Sequence, residues 1–173
     1  PGFEDGAAGF LFADEVEDLV PLAESLAAHV PKQIWEPGTF SAYNNWSTAL
    51  AGLIVANVSG MSFEDYVAEH IFAPLGMNDT GFMVPAEQAD RLVRAYGDGG
   101  TDLTDRLPPS SDYLAPTRFH SGGGGLVSTL ADWAKFAAVL AGDGRLRDAR
   151  LLEPETLIAM RSNQITAEQG PLF

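Results

Sequence analysis

The chain has 173 residues, 46% of them hydrophobic, which is enough for one globular domain with its own core. Its formal net charge of −14 and its pI near 4.3 argue against binding to nucleic acid or to an anionic membrane surface, because like charges repel. The absence of cysteine excludes disulfides, a thiol nucleophile and cysteine-bound zinc, and the three histidines are scattered. We therefore predict neither a metal ion nor another cofactor.

The first predicted elements are a loop and a helix. Residues 1–12 are rich in glycine and phenylalanine and indicate an ordered loop. Acidic residues at positions 14–18 precede apolar residues at helical spacing up to Val30, an order that suits the positive end of a helix dipole. Pro21 is expected in the first turn of this helix, and Pro31 should end it.

A turn at Pro37 and Gly38 precedes the most apolar segment of the chain. The four residues that follow are too few for a helix, so the chain should reach Tyr43 in an extended conformation. A helix is predicted over residues 46–59, and Gly60 stands where it should end. Its predicted inward residues are Trp46, Ala49, Leu50, Leu53, Ile54 and Val58.

Tyr43 and Asn45 lie at the start of this helix and are the candidate catalytic residues. A phenol held near cations can lose its proton below its usual pKa of about 10 and then serve as a general base. A carboxamide beside it can donate and accept hydrogen bonds. The structural alternative is that Tyr43 is a half-buried core aromatic and that Asn45 caps the helix. The spacing alone leaves both interpretations open.

The middle of the chain alternates helix signals with a long loop. Ser62 and Asp65 resemble a capping box and predict a helix to about Phe72, closed by residues 74–76. Another helix is predicted after Pro85. Glycine and proline break every period between residues 96 and 118, so we predict a loop there. Its Tyr113 is a candidate for lining a substrate pocket, with a surface anchor as the alternative.

The last third of the sequence predicts two more helices. Thr129 and Asp132 indicate the cap of one helix, a turn follows at Asp143 and Gly144, and a short helix begins after Pro154. The residues expected to face inward are Leu130, Trp133, Phe136, Ala137 and Leu140 in the first helix and Leu157, Ile158 and Met160 in the second. With hardly a convincing strand anywhere, the predicted fold class is mainly α.

Residues 35–76 read WEPGTFSAYNNWSTALAGLIVANVSGMSFEDYVAEHIFAPLG, and this stretch resembles the β-lactamase-related serine hydrolases. That family includes class C β-lactamases, some penicillin-binding proteins, D-aminopeptidases and family VIII carboxylesterases. The resemblance continues in residues 77–78, 123–136 and 151–156. It implies that residues 1–173 are a single helical region of an α+β β-lactamase/transpeptidase-like domain, with most of the antiparallel sheet missing.

The family uses three catalytic motifs, of which only the second, Tyr-x-Asn, is found here, as Tyr43 and Asn45. The first motif is Ser-x-x-Lys, but Lys32 and Lys135 are preceded three positions earlier by His29 and Asp132. The third is a Lys- or His-x-Gly strand. We therefore expect these residues to be an internal fragment that is inactive alone and is completed by the remainder of its own domain.

His120, Ser121 and Gly122 are superficially similar to the third motif. Three further glycines follow, and no β-branched strand surrounds them, which favours a glycine-rich loop bordering the cleft. His120 is accordingly, with Tyr113, a candidate substrate-binding residue rather than part of a catalytic strand.

The resemblance implies a serine hydrolase that forms an acyl-enzyme with an ester, a β-lactam or a D-amino-acid peptide. Tyr43 would be the general base, and Asn45 would hold a lysine and a substrate oxygen. The implied partner is a small-molecule or peptide substrate, with no nucleic acid and no membrane span in this segment, in a periplasmic, extracellular or membrane-associated location. The alternatives are a non-catalytic family member that binds peptidoglycan fragments or a protein partner, and an unrelated helical interaction domain.

Overall fold

The computed structural model describes residues 2–4, 20–82, 86–94, 96–101, 124–166 and 169. Helices dominate these residues, as the sequence predicts. In chain order the elements are α1 (Leu22–Ala28), α2 (Asn45–Ser59), α3 (Phe63–Val67), a π-helical turn (Ala68–Phe72), α4 (Ala73–Leu75), 3₁₀ turns at Ala86–Arg91 and Asp98–Gly100, α5 (Leu130–Ala141), the hairpin strands β1 (Arg145–Leu146) and β2 (Ala149–Arg150), and α6 (Pro154–Arg161).

Helix α2 confirms the predicted helix and its end. Gly60 adopts φ 72°, in the left-handed region, and its N–H donates to the carbonyl of Ala56 at 2.9 Å. The predicted inward face is wrong at Ile54 and Val58, which are exposed. The physical reason is length: α1 has 7 residues and α2 has 15, so α1 covers only part of α2.

The first hydrophobic core joins α1 to the start of α2. Leu26, Trp46 and Ala49 are buried in it, and the ring of Phe3 meets Trp46 edge-on with centroids 5.4 Å apart. Trp46 also donates its indole N–H to the carbonyl of Leu26 at 3.0 Å. This bond pairs the buried indole and fixes the distance between the two helices.

Helix α3 begins at the predicted cap, because Ser62 Oγ accepts the N–H of Asp65 at 3.0 Å. The helix then continues through the π-helical turn to Leu75 instead of ending near Phe72. The wider turn accommodates Pro74, which has no N–H and would collide with the preceding turn of a regular α-helix. Gly76, at φ 63°, ends the helix.

Helix α5 has the predicted cap, with Thr129 Oγ1 accepting the N–H of Asp132 at 3.2 Å. Its inward face differs from the prediction: Asp132 and Val139 are buried, whereas Leu130 and Trp133 are exposed. The helix is turned in this way because Asp132 has polar partners in the segment after α4. Val139 completes the second hydrophobic core, which also contains Val67, Phe72, Leu75 and Met77.

The Asp132 carboxylate is 4% exposed and connects α5 to the segment after α4. Its Oδ2 accepts the N–H of Asp79 at 2.8 Å and the hydroxyl of Thr80 at 3.1 Å, and its Oδ1 accepts Lys135 Nζ at 2.7 Å. Lys135 Nζ also donates to the carbonyl of Gly76. Burial raises the pKa of Asp132, but these hydrogen bonds outweigh burial and hold the pKa below its usual value of 3.8.

The remaining elements depart modestly from the sequence predictions. Residues 86–91 form a 3₁₀ turn rather than the expected α-helix, and the β1–β2 hairpin was not predicted. In α6, Leu157 faces inward as expected, but Ile158 and Met160 are exposed. Of the described helices, none alone is long and apolar enough to cross a membrane, and the pair Asn45–Ser59 and Phe63–Leu75 meets those criteria only jointly and is bent by 79°.

The indole hydrogen bond in the first core can be tested by replacing Trp46 with Phe. We expect the free energy of unfolding to fall by about 2 kcal/mol, because the Leu26 carbonyl loses its partner and the smaller ring leaves a void. The matched control is Trp133→Phe at an indole that is 49% exposed, where a change within about 0.5 kcal/mol is expected. Urea denaturation of the purified protein measures both, and equal losses would contradict the prediction.

The Asp132 network predicts a pH-dependent effect of Asp132→Asn. At pH 7 the substitution should lower the free energy of unfolding by about 3 kcal/mol, because Lys135 loses its carboxylate partner. Folding lowers the pKa of Asp132, so the stabilisation is full above the unfolded value and is lost as pH falls through the folded value.

The difference in stability between wild type and variant should therefore shrink once the pH falls below about 4 and vanish below the folded pKa of Asp132, as measured by urea denaturation across a pH series. Asp148→Asn, at an exposed carboxylate on the hairpin turn, is the control and should leave the profile unchanged. A difference between wild type and Asp132→Asn that stays constant across the series would contradict this assignment.

Candidate active site at the start of helix α2

Residues 2–4 support the segment that leads into α2. The carbonyl of Gly2 accepts the N–H groups of Ile34 and Trp35 at 2.9 and 3.0 Å, and the N–H of Glu4 donates to Lys32 O at 2.9 Å. Gly2 has φ +83°, and a Cβ there would lie 2.2 Å from the Trp35 carbonyl oxygen. Only glycine therefore fits this close approach.

Asn44 caps helix α2 and ties it to residues 2–4. Its Oδ1 accepts both the N–H of Ser47 at 2.7 Å and the hydroxyl of Ser47 at 2.6 Å, while its Nδ2 donates to the carbonyl of Glu4 at 2.7 Å. The residue is 8% exposed. The structural alternative from the sequence assigned the cap to Asn45, and that assignment is wrong, because Asn45 is already the first helical residue.

The backbone of Asn44 brings its two neighbours together. At φ −159° and ψ 110° it is extended, and side chains two apart on an extended chain point the same way. The Tyr43 hydroxyl donates to Asn45 Oδ1 at 2.6 Å. Tyr43 is 57% exposed, so it is not the half-buried core aromatic of the structural alternative.

Among the described residues, the helix N-terminus places positive charge at this pair, and Lys135 is engaged elsewhere. The N-terminus of the 15-residue helix α2 carries partial positive charge. Lys135 is held by Asp132 and Gly76, and the hydrogen bonds described for Lys32 are made by its backbone. The lysine that the resemblance implies is therefore not Lys135.

Two hollows formed by described residues bear on the site, and neither is lined by Tyr43 or Asn45. The larger, about 790 Å³, follows the turn that leads into Tyr43 and includes the aromatic pair Trp35 and Phe40, whose ring centroids are 5.8 Å apart. The other, about 290 Å³, is apolar and lies between α3 and α5. Within the described part of the chain, no group of three or more acidic, histidine or cysteine side chains is arranged to hold a metal ion.

The structure thus brings the two predicted catalytic residues, Tyr43 and Asn45, into direct contact. Tyr113 and His120 lie outside the described residues. Asn44, which lies between Tyr43 and Asn45 and caps α2, was missed by the sequence analysis. Spacing gives no signal that selects it, because Asn44 stands three residues before Ser47 and Asn45 stands three residues before Thr48.

Comparison with known proteins supplies the family. The family described as beta-lactamase matches residues 2–172. The chain belongs to the beta-lactamase family. Among curated relatives, a protein of Mycobacterium tuberculosis is 34% identical over 142 residues, which is 79% of this chain and 34% of that protein. The D-alanyl-D-alanine-carboxypeptidase/endopeptidase of Escherichia coli K12 is 31% identical over 127 residues, or 73% of this chain and 30% of the relative.

A solved structure shows the same relationship in three dimensions. The D-amino acid amidase of Ochrobactrum anthropi SV3, crystallised with L-phenylalanine, matches with a TM-score of 0.62 at 28% identity, over 90% of this chain and 42% of the amidase. The chain therefore spans about a third of the length of these curated relatives of the beta-lactamase family. These matches confirm the family resemblance and the prediction of a helix-rich, partial β-lactamase-like fold.

Proposed function

We propose that the intact protein is a serine hydrolase of the beta-lactamase family and that Tyr43 and Asn45 belong to its catalytic site. The observation that carries the proposal is an exposed phenol that donates to the adjacent Asn45 amide at 2.6 Å, at the N-terminus of α2. An exposed tyrosine tied to an amide gains little stability from the arrangement. A role of Tyr43 in proton transfer, with Asn45 as its hydrogen-bond partner, explains the pairing better than stability does.

In the proposed reaction, deprotonated Tyr43 takes the proton of a serine hydroxyl supplied from outside these 173 residues. The serine oxygen then forms a bond to the substrate carbonyl carbon, and the carbonyl electrons move to its oxygen. The resulting tetrahedral intermediate re-forms the carbonyl and expels the leaving group, which takes the proton back from Tyr43. In the second half of the reaction, Tyr43 takes a proton from water, and the water oxygen forms a bond to the acyl carbon. The serine oxygen then leaves and takes the proton from Tyr43, which releases the acid product.

Asn45 suits this cycle because its side chain carries both a donor and an acceptor. While Tyr43 is protonated, Asn45 Oδ1 accepts its hydroxyl hydrogen, as the structure shows. After the proton leaves, the amide can turn over and donate from Nδ2 to the phenolate oxygen. A lysine supplied with the serine would add a full positive charge to the partial charge of the helix N-terminus.

The proposed substrates are an ester, a β-lactam or a peptide bond next to a D-amino acid. The last class is supported by the names of two similar proteins, a D-alanyl-D-alanine-carboxypeptidase/endopeptidase and a D-amino acid amidase. Tyr113 and His120 stay proposed substrate-binding residues in the long segment before α5. A panel of chromogenic esters, β-lactams and D-amino-acid amides on the intact protein distinguishes the three classes.

Replacing Tyr43 with Phe in the intact protein should lower kcat by about 100-fold or more, because the general base is lost. The melting temperature should hardly change, since the hydroxyl lost is that of an exposed side chain. Tyr96→Phe is the matched control, because Tyr96 is 60% exposed and is remote in sequence from the pair. Steady-state hydrolysis and thermal unfolding measure both variants, and full activity in Tyr43→Phe would exclude the proposed base.

The proposed location of the nucleophile gives a second test. A penicillin or fluorophosphonate probe should acylate the intact protein at a serine outside residues 1–173, in a Ser-x-x-Lys motif. The 173-residue chain alone should take up no label. Peptide mass spectrometry identifies the modified residue, and a label on any serine within these 173 residues would refute the assignment.

A further inference from the structure

We infer that Asn44 is a positioning residue of the site, because its hydrogen bond to the Glu4 carbonyl fixes the extended backbone that brings Tyr43 and Asn45 together. This inference rests on the proposed function, and it assigns a role to the residue between the two motif positions. It also extends the site to residues 2–4, which are 39 or more positions away from Tyr43 in the sequence.

The side-chain amide of Asn44 is fixed in one orientation. Its oxygen accepts two hydrogen bonds from Ser47, at 2.7 and 2.6 Å, and its nitrogen donates one to Glu4 at 2.7 Å. Turning the amide over would place its NH₂ against the N–H of Ser47 and its oxygen against the Glu4 carbonyl. At 8% exposure, water could not easily compensate for these mismatched groups.

Glu4 is held in place by two hydrogen bonds to the backbone of Lys32. Its N–H donates to Lys32 O at 2.9 Å, and its Oε1 accepts the N–H of Lys32 at 3.2 Å. Phe3 next to it packs against Trp46 in the first core. The Asn44 amide therefore joins the start of α2 to a segment that is held on both sides, and a change at this contact would shift Tyr43 and Asn45 relative to the rest of the fold.

Two substitutions distinguish the effect of the Asn44–Glu4 hydrogen bond from the effect of capping α2. Asn44→Ser keeps an oxygen that can cap α2 but is too short to reach Glu4. Asn44→Asp keeps the size and the capping oxygen, but it places a second acceptor against the Glu4 carbonyl. A residue that only capped the helix would tolerate both changes, since Ser and Asp are good N-caps.

In the intact protein, we expect both variants to lower kcat at least about tenfold, because a small misplacement of a catalytic group slows the chemical step. KM should stay within about threefold, since the substrate contacts remain. The matched control is Ser62→Ala, which removes the cap of α3, formed by Ser62 Oγ and the N–H of Asp65. Ser62→Ala should lower the melting temperature by about as much as the Asn44 substitutions do, yet leave kcat within about twofold of the wild-type value.

The outcomes distinguish this inference from the proposed function. If Tyr43→Phe abolishes hydrolysis while Asn44→Ser keeps kcat within about twofold of wild type, the positioning role is wrong and the proposed function stands. If Tyr43→Phe is fully active, both fail. An equal loss of kcat in Ser62→Ala would also overturn the positioning role, because stability alone would then explain the effect. Where Asn44→Asp does not fold, Asn44→Ser decides the question.

Discussion

The site depends on a single physical requirement: a buried polar side chain costs free energy unless its hydrogen-bonding atoms find partners. Asn44 meets this requirement by accepting from Ser47 on its own helix and donating to Glu4 in a distant segment. The first turn of a helix leaves N–H groups without helical partners, so this position needs an acceptor in any case. The donor on the same amide joins the helix start to the rest of the fold.

Local signals predicted the end of α2 and the starts of α3, α5 and α6. They did not predict the start of α1, where Pro21 precedes the helix instead of lying in its first turn. Ser62, Thr129 and Gly60 act as caps where the sequence places them, because a cap involves residues only three or four apart. The inward faces were predicted less well. Asp132 is buried because it bonds to Asp79. That partner lies 53 positions away in the sequence, so no pattern within α5 could predict the contact.

The site shows the same division between local and distant information. Tyr43 and Asn45 could be selected from their spacing and from the turn before them, and the structure joins them by a hydrogen bond. The cap could not be assigned to Asn44 or Asn45 from composition, since both are asparagine and the choice depends on backbone angles. The contact with Glu4 could not be predicted at all, because it links residues 40 positions apart.

The π-helical turn at Ala68–Phe72 has a consequence for comparing this chain with its relatives. A turn of this kind holds one residue more than a regular turn, so it accommodates an extra residue without breaking the helix. Every side chain after it is rotated by about 100° relative to an unbroken helix. Consider a relative with a regular helix here, without the extra residue and without a proline at the position of Pro74. Its counterparts of Leu75 and Met77 align with the second core only if a one-residue gap is placed within the helix, where gaps are usually avoided.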